Sequence, residues 1–510
     1  MLKIPQINQK TECKIFNLFG KCCNAIFEPP ASEINFILES ELYSVTVNGR
    51  ECPVRGCRES AIPFNRVWPG KQRDLSQTEL AAFVTFSADE SVTLKVKPKK
   101  NFDKAWVRPL SKNIDLEIEN SEIIFTLKDT GSYVLELGSS HEVLHVFFNP
   151  VKEYPDAKSA THYFGPGLHF PGTINLCDND TIYIDEEAIV FGSIYSLGAK
   201  NVRIYGGGIL DNSCEERIVE HCYENYTKGT FKMYNCHNVA VEDIILLNSS
   251  IWVMSMFYCS NVTVDNIKIV GQWRYNTDGI DIVNSNDIII KNSFVRSFDD
   301  TITIKGIYDY EGCIENITVD NCVLWCGWGH TCELGIETHA TEYKDICFKN
   351  CDVIHAQGPA LAIPNGHAAR IHDIHFKNMN VEFQHNTLPS IYQESDDMKY
   401  VGYGNNQDPS LIFLMNSQFD GLFGTENGYK RAYCQKYGQT HDIYFDNIRV
   451  YTDCETVKPQ IIVISVDENT IFENISINNL YLNGEKQNNF KLFKAKFENC
   501  KNIKLDGKNI

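Results

Sequence analysis

A short pattern recurs through the second half of the chain and restricts its fold more than any other feature. An Asn or Asp is followed by alternating residues and then by a second Asn or Asp five positions on. The pairs are Asn238 and Asp243, Asn261 and Asn266, Asp287 and Asn292, Asn316 and Asn321, Asp345 and Asn350, Asp373 and Asn378, Asp442 and Asn447, and Asn474 and Asn479. Successive pairs stand 23, 26, 29, 29, 28, 69 and 32 residues apart. That step is too long for a hairpin and fits one coil of a parallel β-solenoid. Units such as NVTVDNIKI, DIIIKNSFV, NITVDNCVL and DICFKNCDV read as short strands, with β-branched residues facing in and a turn Asn stacking on that of the next coil.

The 69-residue step predicts an insertion at about 382–439, read as a long loop over one face of the solenoid, a lid or a homo-oligomer contact, with a missed coil as the alternative. Asp396 and Asp397 within it have no alternating strand after them and are read as solvated. Residues 1–155 lack the repeat. FILESELYSVTVNG, AAFVTFSADESVTLKVK, SEIIFTLKD and VLHVFFNP alternate at period two between turn residues, which predicts an N-terminal β-sandwich domain over 1–155 and a parallel β-helix over 156–510. FGPGLHF, TIYIDEEAIVFG and NVRIYGGGILD supply its first coils.

A chain of 510 residues exceeds what one core normally supports unless it grows along an axis, as a solenoid does. With 43% hydrophobic and 22% charged residues, disorder and collagen are excluded. The net charge of −19, with no Lys/Arg run, argues against a nucleic-acid partner. No apolar stretch predicts a membrane span, and MLKIPQINQK lacks the layout of a secretory signal, so a cytoplasmic protein acting on short imported chains is expected. Nineteen cysteines, an odd number without metal spacing, predict reduced and buried thiols, as at Cys322, Cys347 and Cys351. Cys326 and Cys332 flank His330, but no second Cys/His pair completes a zinc site, and neither metal nor cofactor is expected.

Two consecutive coils carry acids where their strands begin, NTDGIDI at 276–282 and FDDTITI at 298–304. Apolar parity sets Ile280 over Ile302 and Ile282 over Ile304. Asp278 then stacks on Asp300 and Thr277 on Asp299, while Asp281 and Thr303 point outward. Like charges at the spacing of adjacent coils, about 4.8 Å, raise one pKa markedly. The next coil, WCGWGHTCELGIET, continues the register with Leu334 and Ile336 inward and Glu333, Gly335 and Glu337 outward. His330 lies on the bend leading into it. Trp273, Tyr275, Trp325 and Trp328 are near, and Lys305 stacks beside Glu337 as an ion pair.

Asn276-Thr277-Asp278 with Asp281, then Asp299-Asp300, then Gly329-His330, resemble the active-site motifs of glycoside hydrolase family 28, the polygalacturonases. The chain also resembles family 49, the dextranases and isopullulanases, which join a β-sandwich to a β-helix. The resemblance implies a right-handed parallel β-helix of the pectin-lyase-like kind and hydrolysis with inversion. It implies that Asp299 is the general acid, that Asp278 and Asp300 together activate water, that His330 assists near the acid, and that Asp281 supports the cluster. Stacked carboxylates alone would suggest the shorter separation of retaining enzymes. Polygalacturonases carry an Arg-Ile-Lys strand one coil after the His. Here that coil reads GPALAIPNG, without a cation.

Glu333 would repel a uronate and accept hydrogen bonds from neutral sugar hydroxyls, so a neutral α-linked glycan such as an α-glucan is expected. Asp281, Glu333, Glu337, Lys305, Trp273, Tyr275 and Trp328 are expected to contact it. A galacturonate-cleaving polygalacturonase remains the alternative, as does a polysaccharide lyase on the same scaffold, which would need calcium or a cationic base.

Overall fold

A computed structural model describes residues 1–7, 14–16, 22–23, 39–60, 78–215, 217, 228–384, 391–392, 401–402, 409–416, 438–453, 457–466, 470 and 472–510. Among them, regular structure is β apart from the 3-10 turns Leu110–Lys112 and Ala157–Ser159, and no helix is long and apolar enough to cross a membrane. The chain is all-β, a right-handed parallel β-helix preceded by a β-sandwich.

The recurring Asn and Asp residues have one backbone reason. All sixteen members of the eight pairs have φ between +52° and +67°. Asn and Asp enter this left-handed region more readily than other side-chain-bearing residues, because their short polar groups bond locally. Each pair therefore sets two left-handed positions at the ends of one core-facing stretch, as Asp287 and Asn292 do around Ile288, Ile289 and Ile290. The side chains then join coil to coil: Asn321 Nδ2 donates to Asn292 Oδ1 at 2.8 Å, and Asn378 to Asn350 at 2.9 Å. Asn447 donates to Asn378 at 2.8 Å across the long step. Residues 69 apart in sequence are thus neighbours in space.

That step contains a coil. Ser410–Asn416 pairs in parallel with Leu361–Asn365 on one side and with Gln460–Ile464 on the other. The expectation of a loop throughout 382–439 is therefore corrected. The long connections before and after this strand separate it in sequence from the Asn-bracketed strands of its own coil. Asp396 and Asp397 lie outside the described residues.

Inside, identical positions of successive coils form apolar files. One runs Val241, Val264, Ile290, Val319, Phe348, Phe376, Phe445, Ile477 and Leu505. All belong to one core cluster. Burying each such side chain contributes roughly 1.5–3 kcal/mol, so the solenoid is stabilised along its whole length.

The N-terminal part is two antiparallel-rich sheets. One contains Thr78–Ala88, Leu144–Asn149 and Gly131–Glu136, and the other Glu122–Leu127, Val92–Pro98 and Tyr43–Val47. Val84, Phe86, Leu94, Phe125 and Val146 pack between them. One short strand departs from the expected arrangement: Lys14–Phe16 pairs with Gly167–Leu176 of the solenoid. A second apolar cluster joins the sandwich to the solenoid through Phe83 and Phe147 on one side and Phe191, Phe294 and Trp325 on the other. Beside it Arg108 pairs with Glu136 at 2.7 Å and with Glu382, and His355 meets Glu136 at 2.5 Å. Trp325, with the Arg296 guanidinium 3.7 Å from its ring centre, belongs to this junction and not to the acidic site.

Candidate active site

Strands Ile280–Val283, Ile302–Asp320 and Cys332–Lys349 lie side by side in parallel. Ile280 pairs with Ile302 and Ile302 with Cys332. The ladder extends into the preceding bends, where the Gly279 N–H donates to the Asp300 carbonyl at 2.8 Å and the Thr301 N–H to that of His330, also at 2.8 Å. Asp278, Asp300 and His330 therefore fall in one file, and Thr277, Asp299 and Gly329 in the next. A Cβ on Gly329 would lie 2.3 Å from Asp300 Oδ1 and 2.6 Å from Asp299 Oδ1. Glycine stands there because the two carboxylates fill the space a side chain would need.

Lys305 organises the acids. Its Nζ lies 3.0 Å from Asp300 Oδ2, 3.6 Å from Asp278, 3.7 Å from Glu337 and 3.8 Å from Asp281. Asp300, and not Glu337 alone as expected, is its nearest partner. Burial opposes the ammonium charge, but the surrounding acids, Asp300 first, hold the Lys305 pKa well above its ordinary value. The neighbouring aspartates diverge in consequence. Burial pushes Asp299 up, the charge of Asp300 adds to it, and its pKa reaches about 7. Burial pushes Asp300 up too, but Lys305 and His330 outweigh it and bring the carboxyl down to about 2. Asp278 is held well above the carboxylate range by burial, then by Asp281 and Asp299. Its Oδ1 has no hydrogen-bond partner among the described residues.

His330 sits at the mouth with its side chain 26% exposed. Its backbone N–H donates to Asp300 Oδ1 at 2.9 Å, and its ring Nδ1 is 2.6 Å from Glu333 Oε1. Burial opposes its charge, but Glu333 and Asp300 raise its pKa to about 9. Asp300, His330 and Glu333 are the grouping among the described residues compact enough to hold a metal ion. A metal there would take the ring Nδ1 deprotonated, whereas 2.6 Å from a carboxylate oxygen suits a protonated nitrogen.

Several residues expected to contact substrate lie beneath the surface. Asp281 is 0%, Glu333 1%, Glu337 2% and Lys305 4% exposed. Parity places them outward, but they are covered; over Lys305 the Trp252 ring centre is 5.0 Å from Nζ, and Trp252 packs with Ile251, Phe257, Val283 and Ile307. Ile336, expected inward, is half-buried and outside the core, because the register shifts between Ile304 and Gly306. Tyr275 is buried, edge-on to Phe298 at 5.9 Å. Trp273 is buried beside the Arg274 guanidinium, 4.6 Å away. Arg274 itself donates to the Asn248 carbonyl at 2.6 Å and that of Ser249 at 3.0 Å. Trp328 is half-exposed and stacks on Phe298 at 6.4 Å. Asn276, Asp299, Asp300, Trp328, Gly329 and His330 are half-buried and form the accessible side of the acidic cluster.

Two neighbours carried no motif. Arg217 is buried and donates to the Tyr275 carbonyl at 2.5 Å and to Asn276 Oδ1 at 2.9 Å, and Asn276 in turn donates to Asp299 Oδ2 at 3.4 Å. Phe413, from the strand inside the insertion, lies 6.3 Å from the His330 ring at an interplanar angle of 15°.

Fold and site together define a right-handed β-helix protein with an acidic groove built across adjacent coils. The sequence model of glycosyl hydrolases family 28 matches residues 165–470, and the chain belongs to that family. It is 24% identical over 285 residues to a probable exopolygalacturonase B of Neosartorya fischeri, covering 51% of this chain and 60% of that protein. Over 273 residues it is 24% identical to a polygalacturonase of Gossypium barbadense, covering 51% and 62%. The chain thus spans about 60% of the length of these curated relatives. Among solved structures, Dex49A from Penicillium minioluteum superposes with a TM-score of 0.61 over 93% of this chain and 96% of that one, at 13% identity, a likeness of fold.

Proposed function

We propose that the protein hydrolyses an α-glycosidic bond by acid–base catalysis. The observation that carries this reading is that Lys305 Nζ lies 3.0 Å from Asp300 Oδ2, next to Asp299; the ammonium helps to hold the Asp300 carboxyl down to about 2 while burial raises Asp299 to about 7, and paired carboxyls driven apart by their surroundings are what this chemistry uses. Asp299, which keeps its proton in a large fraction of molecules up to about pH 7, donates to the glycosidic oxygen. Asp300, kept ionised by Lys305, accepts a proton from the attacking water. Asp278, whose carboxyl burial raises well above its ordinary range and whose Oδ1 has no hydrogen-bond partner among the described residues, orients that water from the neighbouring coil. The family supports inversion of the anomeric centre. The convergence of both Oδ1 atoms on Gly329 favours the shorter spacing of retaining enzymes, and the anomer released decides between the two.

For the substrate, we infer a neutral α-linked glycan. Ala362 pairs with Glu333 on the coil after His330 and offers no cation to a uronate. A galacturonate chain is the second reading, favoured by Arg217 behind Asn276 and by the names of the curated relatives. Incubating the protein with matched panels of α-linked gluco-oligosaccharides and oligogalacturonates, and following the released anomer by NMR, tests both points. Hydrolysis of the neutral panel alone is expected. Cleavage of oligogalacturonates alone would assign the uronate.

A further inference from the structure

The outward positions of successive coils form a file that runs Asp281, Thr303, Glu333, Ala362 and Phe413. Glu333 is its central member and is almost fully buried. Its Oε1 is ion-paired with His330 Nδ1 at 2.6 Å, outside hydrogen-bond geometry, and its Oε2 lies 3.1 Å from the Thr303 hydroxyl, whose one hydrogen is shared with the Gly335 carbonyl at 3.0 Å. Ala362 on its other side brings no competing polar group.

The His330 ring is therefore held in one plane from two directions. Glu333 fixes its Nδ1 edge, and Phe413 lies nearly parallel to its face. Because Nδ1 and Nε2 stand at opposite edges of an imidazole, an Nδ1 turned inward to Glu333 sends Nε2–H out toward the mouth. The strand Leu361–Asn365, which carries Ala362, has no cation, and His330 is a charged donor on the adjacent coil, in the acidic cluster.

We propose that Glu333 is a positioning residue, which holds His330 as an imidazolium with Nε2–H directed at a substrate oxygen beside the scissile bond. This inference rests on the hydrolytic reading for its substrate and on geometry alone for the Glu333–His330 pair. The other charged groups facing the ring are Asp299 and Asp300, with Lys305 behind them.

The test is a nitrogen-15 NMR titration of the His330 ring in the intact chain, read beside the pH dependence of kcat/KM. In the unsubstituted protein the ring is expected to stay doubly protonated above pH 8 and to titrate near 9. A ring neutral at pH 8 would overturn the proposal without any variant. Glu333→Gln keeps the shape and removes the charge. It should lower the His330 pKa by about one unit or more and reduce kcat/KM roughly tenfold to a hundredfold. Thr303→Val, which frees Oε2, should move both in the same direction by less. A changed melting temperature with an unmoved His330 titration would make Glu333 merely structural and refute the assignment. A moved titration in a protein that cleaves no glycan would keep the pair and discard the hydrolytic reading.

Discussion

Lys305 Nζ is bonded to Asp300 Oδ2 at 3.0 Å, and this contact separates the chemistry of two consecutive aspartates. Asp299 and Asp300 are adjacent in sequence, yet the ammonium is in contact with the second and acts on the first only from farther off, where burial outweighs it. Replacing Lys305 by Met should let burial raise Asp300 toward protonation. The acidic limb of the kcat/KM profile should then move to higher pH, and turnover at pH 5 should fall by roughly 100-fold or more. An unmoved acidic limb would remove Lys305 from the control of the base.

The raised pKa of Asp299 carries a stability signature. Its folded value, about 7, lies above the ordinary 3.8, so the folded chain binds this proton more tightly than the unfolded one. Stability from this group is complete below about pH 4 and is lost as pH rises through 7. Asp299→Asn, which is uncharged throughout, should therefore melt above the unsubstituted protein at pH 8 and together with it at pH 4. Scanning calorimetry at the two pH values checks this.

Gly329→Ala would place a methyl 2.3 Å from Asp300 Oδ1 and 2.6 Å from the Asp300 backbone nitrogen. The carboxylates must shift, and a loss of about 1–3 kcal/mol of stability is expected. Turnover should fall roughly 100-fold, since small misplacements of catalytic groups are costly. Normal turnover in the folded variant would show that the acids do not converge on this glycine.

The coil-to-coil amide ladder is testable away from the site. Asn321 has φ +53° and donates to Asn292. Asn321→Ala should cost about 1–3 kcal/mol from left-handed strain and the lost hydrogen bond, and Asn321→Gly less, because glycine carries no strain there. Urea unfolding of the two variants distinguishes them. Equal losses would mean that the backbone conformation contributes nothing.

Much of this arrangement is legible in the sequence because it is imposed locally. A left-handed backbone position selects Asn or Asp at one residue, so the eight pairs mark the repeating coils directly. The register that stacks Asp278 on Asp300 follows from the alternation around Ile280 and Ile302. Parity says which side a residue faces, not what covers that side. Asp281, Glu333, Glu337 and Lys305 read as substrate contacts for that reason, although all four are buried, Lys305 beneath Trp252. Arg217 belongs to no recurring unit of the sequence, and Ser410–Asn416 stands far in sequence from its neighbouring strands, so neither left a periodic signal.

The assignment of Asp299 as proton donor is tested most directly by the turnover of Asp299→Asn on the α-linked oligosaccharide that the unsubstituted protein cleaves. A fall of roughly 1,000-fold or more, in a protein that keeps its β-sheet circular dichroism, is the expected result. Turnover within tenfold of the unsubstituted protein would contradict it.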